Sequence, residues 1–343
     1  MKKVVRARAP LRLSFAGGGT DISPYCDIYT GSVVNVTIDK YAYAAIEDND
    51  SRTISFHLQD KMYSESFDFD NFYTKKSNLV LLKEIYKYAV KNYNNSNLIP
   101  IKMTTFCDAP PGSGLGSSSA VVVACLTAYL RYFQVDLNNY EIAKAAYQIE
   151  RINAKLQGGR QDQIASVYGG LNFISFGKEF ECNVQGINIH KEFSTELESS
   201  IVLYFTGTSR ESAKIIANQS KNIINEDLKS IDAMHALKQA ATNFRDAIIN
   251  KDLNSLIESI KKGWEFKKQT SGTVTNKKIN RIYEIAMLNG ALAGKLSGAG
   301  GGGFMWFYVN INKKVQLMNK LRSLDGDVDS CHFTHQGAES WVS

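Results

Sequence analysis

"DAPPGSGLGSSSAVVVACL", Asp108 to Leu126, decides the fold. Prolines, glycines and serines stand directly ahead of an unbroken run of small apolar residues. A glycine-rich turn reaches backbone angles that side chains forbid, so several N–H groups can converge on one spot, an arrangement that suits an anion. The run from Ala120 to Phe133 is rich in Ala, Val and Leu and predicts a buried helix, with Ser117 to Ser119 as its capping residues. The free N–H groups and positive dipole end of such a helix are where phosphates bind.

Two familiar phosphate loops are excluded. "GSGLGSS", residues 112 to 118, has no Lys where G-x-x-x-x-G-K-[ST] requires one. "GAGGGG", Gly298 to Gly303, matches G-x-G-x-x-G literally but runs into the strand-like "FMWFYV", whereas a dinucleotide site needs a helix there.

The 343 residues are 44% hydrophobic and 22% charged, and the length suggests two domains. The net charge of +6 comes from 40 basic and 34 acidic residues spread along the chain, which fits a small anionic substrate better than nucleic acid. "MKKVVRARAP" is too short and charged for a signal segment, and no apolar run approaches a membrane span, so the expectation is a cytoplasmic enzyme or binding protein. Five scattered cysteines without a C-x-x-C pair read as reduced packing residues. "CHFTH", Cys331 to His335, reads as a strand and lacks the second ligand pair a metal site needs.

Alternation predicts strands in "VVRARAPLRLSF", "SVVNVTIDKYAYAAI", "TISFHL", "SESFDFD" and from Ile99 to Phe106, with a helix from Leu79 to Asn92. Asn138 to Leu156 reads as one capped amphipathic helix and "QDQIASVYGG" as a short helix closed by glycine. After strands "LNFISF" and "IVLYFTG", residues 210 to 290 are a succession of helical patterns, and strand signals return only at "GFMWFYV" and "CHFTH". The expected division is an α+β first domain, residues 1–190, and an α+β second domain, residues 191–343.

Three glycine-rich segments occur in order: "APLRLSFAGGGTD" (Ala9 to Asp21), "PPGSGLGSSSA" (Pro110 to Ala120) and "KLSGAGGGG" (Lys295 to Gly303). Together they resemble the signature motifs of the GHMP small-molecule kinases, the superfamily of galactokinase, homoserine kinase, mevalonate kinase and phosphomevalonate kinase. The resemblance implies ATP-dependent phosphoryl transfer in a cleft between an N-terminal ATP-binding domain and a C-terminal domain, with no nucleic acid or membrane partner.

By that resemblance Pro111, Gly112, Ser113, Gly114, Leu115, Gly116, Ser117 and Ser118 wrap the triphosphate. Ser118 and Glu150 would hold Mg²⁺, which takes few oxygens from protein. Asp162 in "GGRQDQ" would be the catalytic carboxylate, and Arg12 would keep it ionised and offset transition-state charge. Ser297, Gly298 and Gly300 would line the cleft from the second domain.

The first motif lacks the Gly-Glu-His of galactokinase and mevalonate kinase. Gly18, Gly19, Thr20 and Asp21 instead resemble the heptose phosphate kinase and fucokinase branch, where the Asp would bind sugar hydroxyls. Arg160 and Arg210 are candidates for a phosphate already on the sugar. The expected reaction is phosphorylation of the anomeric hydroxyl of D-glycero-D-manno-heptose 7-phosphate. A fucokinase-like enzyme acting on an unphosphorylated sugar, or a catalytically silent sensor, are the alternatives.

Overall fold

The computed structural model describes residues 4–49, 51–207 and 212–343. Its strands are β1 (Val4–Ala16), β2 (Gly31–Asp48), β3 (Thr53–Leu58), β4 (Tyr63–Asp68), β5 (Ile101–Cys107), β6 (Leu171–Phe176), β7 (Cys182–Gly186), β8 (Ile201–Phe205), β9 (Ala291–Leu296), β10 (Phe304–Val309), β11 (Asp327–Ser330) and β12 (Glu339–Val342). The α-helices are α1 (Tyr25–Tyr29), α2 (Val80–Tyr93), α3 (Ser117–Phe133), α4 (Asn139–Tyr147), α5 (Gln161–Tyr168), α6 (Lys191–Ser199), α7 (Ser212–Ile224), α8 (Leu228–Ile249), α9 (Leu253–Gln269), α10 (Lys277–Leu288) and α11 (Ile311–Arg322).

Two sheets result. The first runs β12-β1-β2-β5-β3-β4, with β6 and β7 continuing from β2. The long β2 serves two neighbours on one edge: Gly31–Val36 pairs with β6 and Ala42–Asp48 with β5, while β1 runs antiparallel along its other edge. The second sheet is antiparallel, β11-β8-β10-β9. Helix α3 packs on β1 and β2, and the antiparallel pair α8 and α9 reaches from β1 and β2 to β9, joining the sheets. One apolar cluster runs from Leu11, Leu13 and Phe15 through Val122 and Leu126 to Phe244 and Trp306, so the two halves share core.

Several expectations are corrected here. Ser117 to Ser119 do not cap α3: Gly116 takes the N-cap position with φ +76, makes no side-chain cap bond, and leaves the serines in the first turn. The helix expected over residues 138–156 ends at Tyr147, after an Asn138–Glu141 capping box, and continues as a π-turn over Gln148–Asn153. "CHFTH" is not a strand; it makes one isolated bridge, Phe333 to Ile38, and the strand lies just before it in β11. β9, "ALAGKL", gave no strand signal because it is poor in β-branched residues; its partner β10 imposes the conformation.

Candidate active site

The loop from Pro110 to Gly116 leaves β5 and enters α3. Gly112, Gly114 and Gly116 all have positive φ, +74, +81 and +76, while the intervening Ser113 and Leu115 are buried. This alternation anchors the loop by its side chains and turns the glycine backbone toward the cavity. The third segment braces it from behind: a Cβ on Gly114 would lie 2.3 Å from the Ser297 carbonyl oxygen, and one on Gly298 2.8 Å from the Gly114 Cα. The Phe304 N–H also donates to the Ser113 carbonyl at 2.7 Å. With a glycine at its cap, the N-terminus of α3 keeps N–H groups open for an anion.

Arg12 in β1 and Asp162 in the first turn of α5 meet beneath this loop. Arg12 Nε and Nη2 lie 2.8 and 2.6 Å from Asp162 Oδ1, and Arg12 Nη1 donates to the Gly114 carbonyl. A Cβ on Gly116 would stand 3.3 Å from the Asp162 carboxyl carbon, so loop and carboxylate are in direct contact. Burial raises the Asp162 pKa above the usual carboxylate value; Arg12 opposes this and Asp21 adds to it. Desolvation thus outweighs the attraction of Arg12, the residue expected to keep the group ionised, and shifts it toward the protonated form. A raised pKa suits a carboxylate that takes up a proton.

Glu150 is buried in the π-turn, an irregularity that often marks functional sites. Its Oε2 accepts from Ser119 Oγ at 2.7 Å and Gln163 Nε2 at 2.6 Å. Its Oε1 has Arg151 Nη1 3.1 Å away but no hydrogen bond. A carboxylate oxygen without a hydrogen bond and the Ser118 hydroxyl, on residues that line one cavity, fit a hard cation that otherwise takes phosphate and water oxygens. Among the described residues no three His, Cys, Asp or Glu side chains gather to hold a metal on their own.

Other expected acceptor residues take different roles. Asp21 lines the cavity, but its carboxylate already accepts from Gly19 N, Arg160 N, Gln161 N and Gln161 Nε2 at 3.0 to 3.1 Å. Four donors fill a carboxylate's acceptor sites, so Asp21 ties the first motif to α5 rather than waiting for sugar hydroxyls. Arg160 points away from the cavity, with Nη1 donating to Gly177 O at 2.6 Å and Nη2 contacting Ser23 Oγ and Asp27 Oδ1 at 2.8 and 2.5 Å. Its terminal nitrogens are thus tied to protein partners outside the cavity, while its Nε is buried without one. Arg210 lies outside the described residues.

Thr20 is buried with its hydroxyl donating to Gly17 and Ser32 carbonyls. Gly18 gives its carbonyl to Lys267, and Ser297 sits behind Arg12. Gly300 packs on Val274, where a Cβ would come within 2.7 Å of the carbonyl oxygen. Of the first and third motifs, Arg12, Gly19, Asp21, Gly298 and Ala299 line the cavity, while Gly18, Thr20, Ser297 and Gly300 support it from behind.

Several lining side chains were missed, among them Gln161, which stands between Arg160 and Asp162, Arg151, which follows Glu150, and Lys267 on α9. A signal for Lys267 existed: it falls in phase with the buried Leu256, Ile260, Gly263 and Trp264, an apolar stripe where an unpaired lysine is out of place.

These residues enclose a cavity of about 450 Å³ between the glycine loop and helices α7 and α9. The family models "GHMP kinases N terminal domain" and "GHMP kinases C terminal" match residues 80–170 and 244–314. The chain is 40% identical over 339 residues to D-glycero-alpha-D-manno-heptose 7-phosphate kinase of Campylobacter jejuni, covering 99% of each. Among solved structures it resembles a D-glycero-D-manno-heptose 1-phosphate kinase from Bacteroides thetaiotaomicron, with 35% identity, TM-score 0.81 and 98% of each chain covered. A putative sugar kinase from Campylobacter jejuni matches with 38% identity and TM-score 0.82, over 99% of this chain and 98% of that one. The glycine loop, the Arg12–Asp162 pair and these full-length likenesses lead to one assignment: the chain belongs to the GHMP kinase family of ATP-dependent phosphotransferases.

Proposed function

We propose that this kinase transfers the γ-phosphoryl group of ATP to the anomeric hydroxyl of a heptose 7-phosphate, giving the 1,7-bisphosphate. One observation carries the chemistry: a half-buried carboxylate, Asp162, whose pKa desolvation raises, held by Arg12 against a phosphate loop whose helix N-terminus is uncapped. Both Arg12 contacts fall on Asp162 Oδ1, which leaves Oδ2 to accept the hydroxyl proton. The acceptor oxygen then bonds to the γ-phosphorus as the bond to ADP breaks. Arg12 faces the charge that spreads over the phosphoryl oxygens, and transfer of this kind depends mainly on positioning and charge stabilisation. Ser118 Oγ and Glu150 Oε1 are the atoms that would hold magnesium, whose charge neutralises the phosphates when it is bound. The heptose 7-phosphate assignment draws its support from the full-length Campylobacter jejuni relative.

The test is ADP release measured with heptose 7-phosphate, heptose 1-phosphate, unphosphorylated heptose, fucose and galactose as acceptors. Heptose 7-phosphate is expected to give the highest kcat/KM. Preference for fucose or galactose, or equal turnover of heptose with and without its 7-phosphate, contradicts the assignment.

A further inference from the structure

With Arg160 committed to Gly177, Ser23 and Asp27, the acceptor side of the cavity needs another group to meet a phosphorylated sugar. Three described cations line the cavity: Arg12, Arg151 and Lys267. Arg12 is spent on Asp162 and the Gly114 carbonyl. Arg151 pairs with Glu150 and donates to the Gly159 and Gln157 carbonyls. Lys267 differs. It is only 3% exposed, and its ammonium makes one hydrogen bond, to the Gly18 carbonyl at 2.8 Å. An ammonium carries three donors, so two remain unspent on a buried cation facing a cavity. Asp21 supplies opposite charge nearby, but its own acceptor positions are filled by backbone and amide donors.

A second, independent observation lies beside it. Gln161 is 5% exposed and lines the same cavity. Its Nε2 donates to Asp21 Oδ1 at 3.0 Å, which fixes the amide orientation, and its Oε1 is buried without any partner. Native proteins leave few such atoms, since an unpaired buried acceptor is costly. Unspent donors on a buried cation beside an unspent buried acceptor describe a site for a ligand that carries both an anion and a hydroxyl. Gly19 explains the access: its Cα stands so close that a Cβ would lie 2.8 Å from Lys267 Nζ, so any side chain there would cover the ammonium.

We propose that Lys267 and Gln161 determine acceptor specificity, Lys267 Nζ donating to the phosphate the sugar already carries and Gln161 Oε1 accepting from a sugar hydroxyl. This rests on the reading of the acceptor as a sugar phosphate, and its tests separate the two. The first compares wild type with Lys267→Met on heptose 7-phosphate and on unphosphorylated heptose. A lost charge-assisted contact is worth roughly ten- to a hundredfold, so the kcat/KM loss on the phosphorylated acceptor should exceed the loss on heptose by at least about tenfold. Equal losses on both acceptors would place Lys267 on the transferred phosphoryl group and overturn the proposal.

The second test needs no heptose. With the nucleotide side filled by AMPPNP, inorganic phosphate binding is measured by calorimetry for wild type, Lys267→Met and Lys267→Arg. At least about tenfold weaker binding by the Met variant, with the charge-keeping Arg variant closer to wild type, is the expected result. Identical affinities overturn the proposal. Wild-type indifference to the 7-phosphate in the first test would instead sink the heptose 7-phosphate reading. Met matches Lys in length and removes a buried charge, so the variant is expected to fold, and unchanged thermal unfolding checks this.

Discussion

Asp162 shows how a side chain's place in the cavity can be legible in sequence while its electrostatics is not. Its place twelve positions after Glu150, after a Gly-Gly turn and within a three-motif resemblance, pointed to the catalytic role, and Arg12 followed from the first motif. That burial outweighs Arg12 and raises the Asp162 pKa depends on packing, which sequence does not display. Asp162→Asn is expected to lower kcat at least about a hundredfold while ATP affinity, measured by calorimetry, stays near wild type. Retention of more than a tenth of the activity would remove Asp162 from the reaction. Asp21 and the terminal nitrogens of Arg160 carried the right chemistry for a ligand but are held by protein partners, which only the fold reveals. The buried lysines make a further prediction. Burial pushes Lys267 down to about 8 and Lys295 to about 7, against an ordinary 10.5. Between these values the unfolded chain binds more protons than the folded one, so stability rises with pH. Burial raises the thiols Cys125 and Cys331 above their ordinary 9.0, which works the other way at higher pH. The denaturant midpoint should therefore rise from pH 7 to about 8.5, and Lys295→Met should flatten the rise; a wild-type midpoint independent of pH contradicts it.

At the scale of elements, the phosphate loop and α3 were readable because their signals are local: glycines for the turn, then a continuous apolar run. Their capping was not, because the backbone bond between Arg12 N and the Leu115 carbonyl and the packing of Gly114 on Ser297 come from distant strands. Gly114→Ala combines a φ of +81 with a Cβ 2.3 Å from a carbonyl oxygen. It should lower stability by about 1 to 3 kcal/mol from backbone strain alone, read from denaturant unfolding, and weaken ATP binding; unaltered stability would show that the third segment can withdraw. The π-turn that carries Glu150 had no sequence signature, since an i→i+5 bond needs no special residue; the amphipathic pattern of residues 138–156 simply ran on through it. Ser118→Ala and Glu150→Gln should each raise the magnesium concentration needed for half-maximal rate, as each removes one of few protein oxygens. An unchanged magnesium titration would show that the metal is held elsewhere. β9 went unread because a short strand rich in Ala and Gly is specified by its partner β10 rather than by itself, and β12 because four residues are too few to show alternation without β1 beside them.

The whole molecule brings together groups that lie far apart in the chain. β12 pairs with β1, so the last strand closes the sheet that the first one opens, and Arg12, Gly114, Asp162 and Ser297 converge from four separate segments. The α+β class and the cleft enzyme were legible through three spaced motifs acting as one signal. The acceptor wall was not, because α9 reaches the first motif only through tertiary packing, with Lys267 on the Gly18 carbonyl. A site so assembled should act as a unit on one acceptor and one hydroxyl. The most direct measurement is phosphorus NMR, with proton coupling, of the product formed from ATP and heptose 7-phosphate. A second phosphate coupled to the anomeric proton, formed by wild type and absent with Asp162→Asn, is the expected result. A phosphate on any other carbon, or no sugar phosphate beyond the one supplied, would contradict the account.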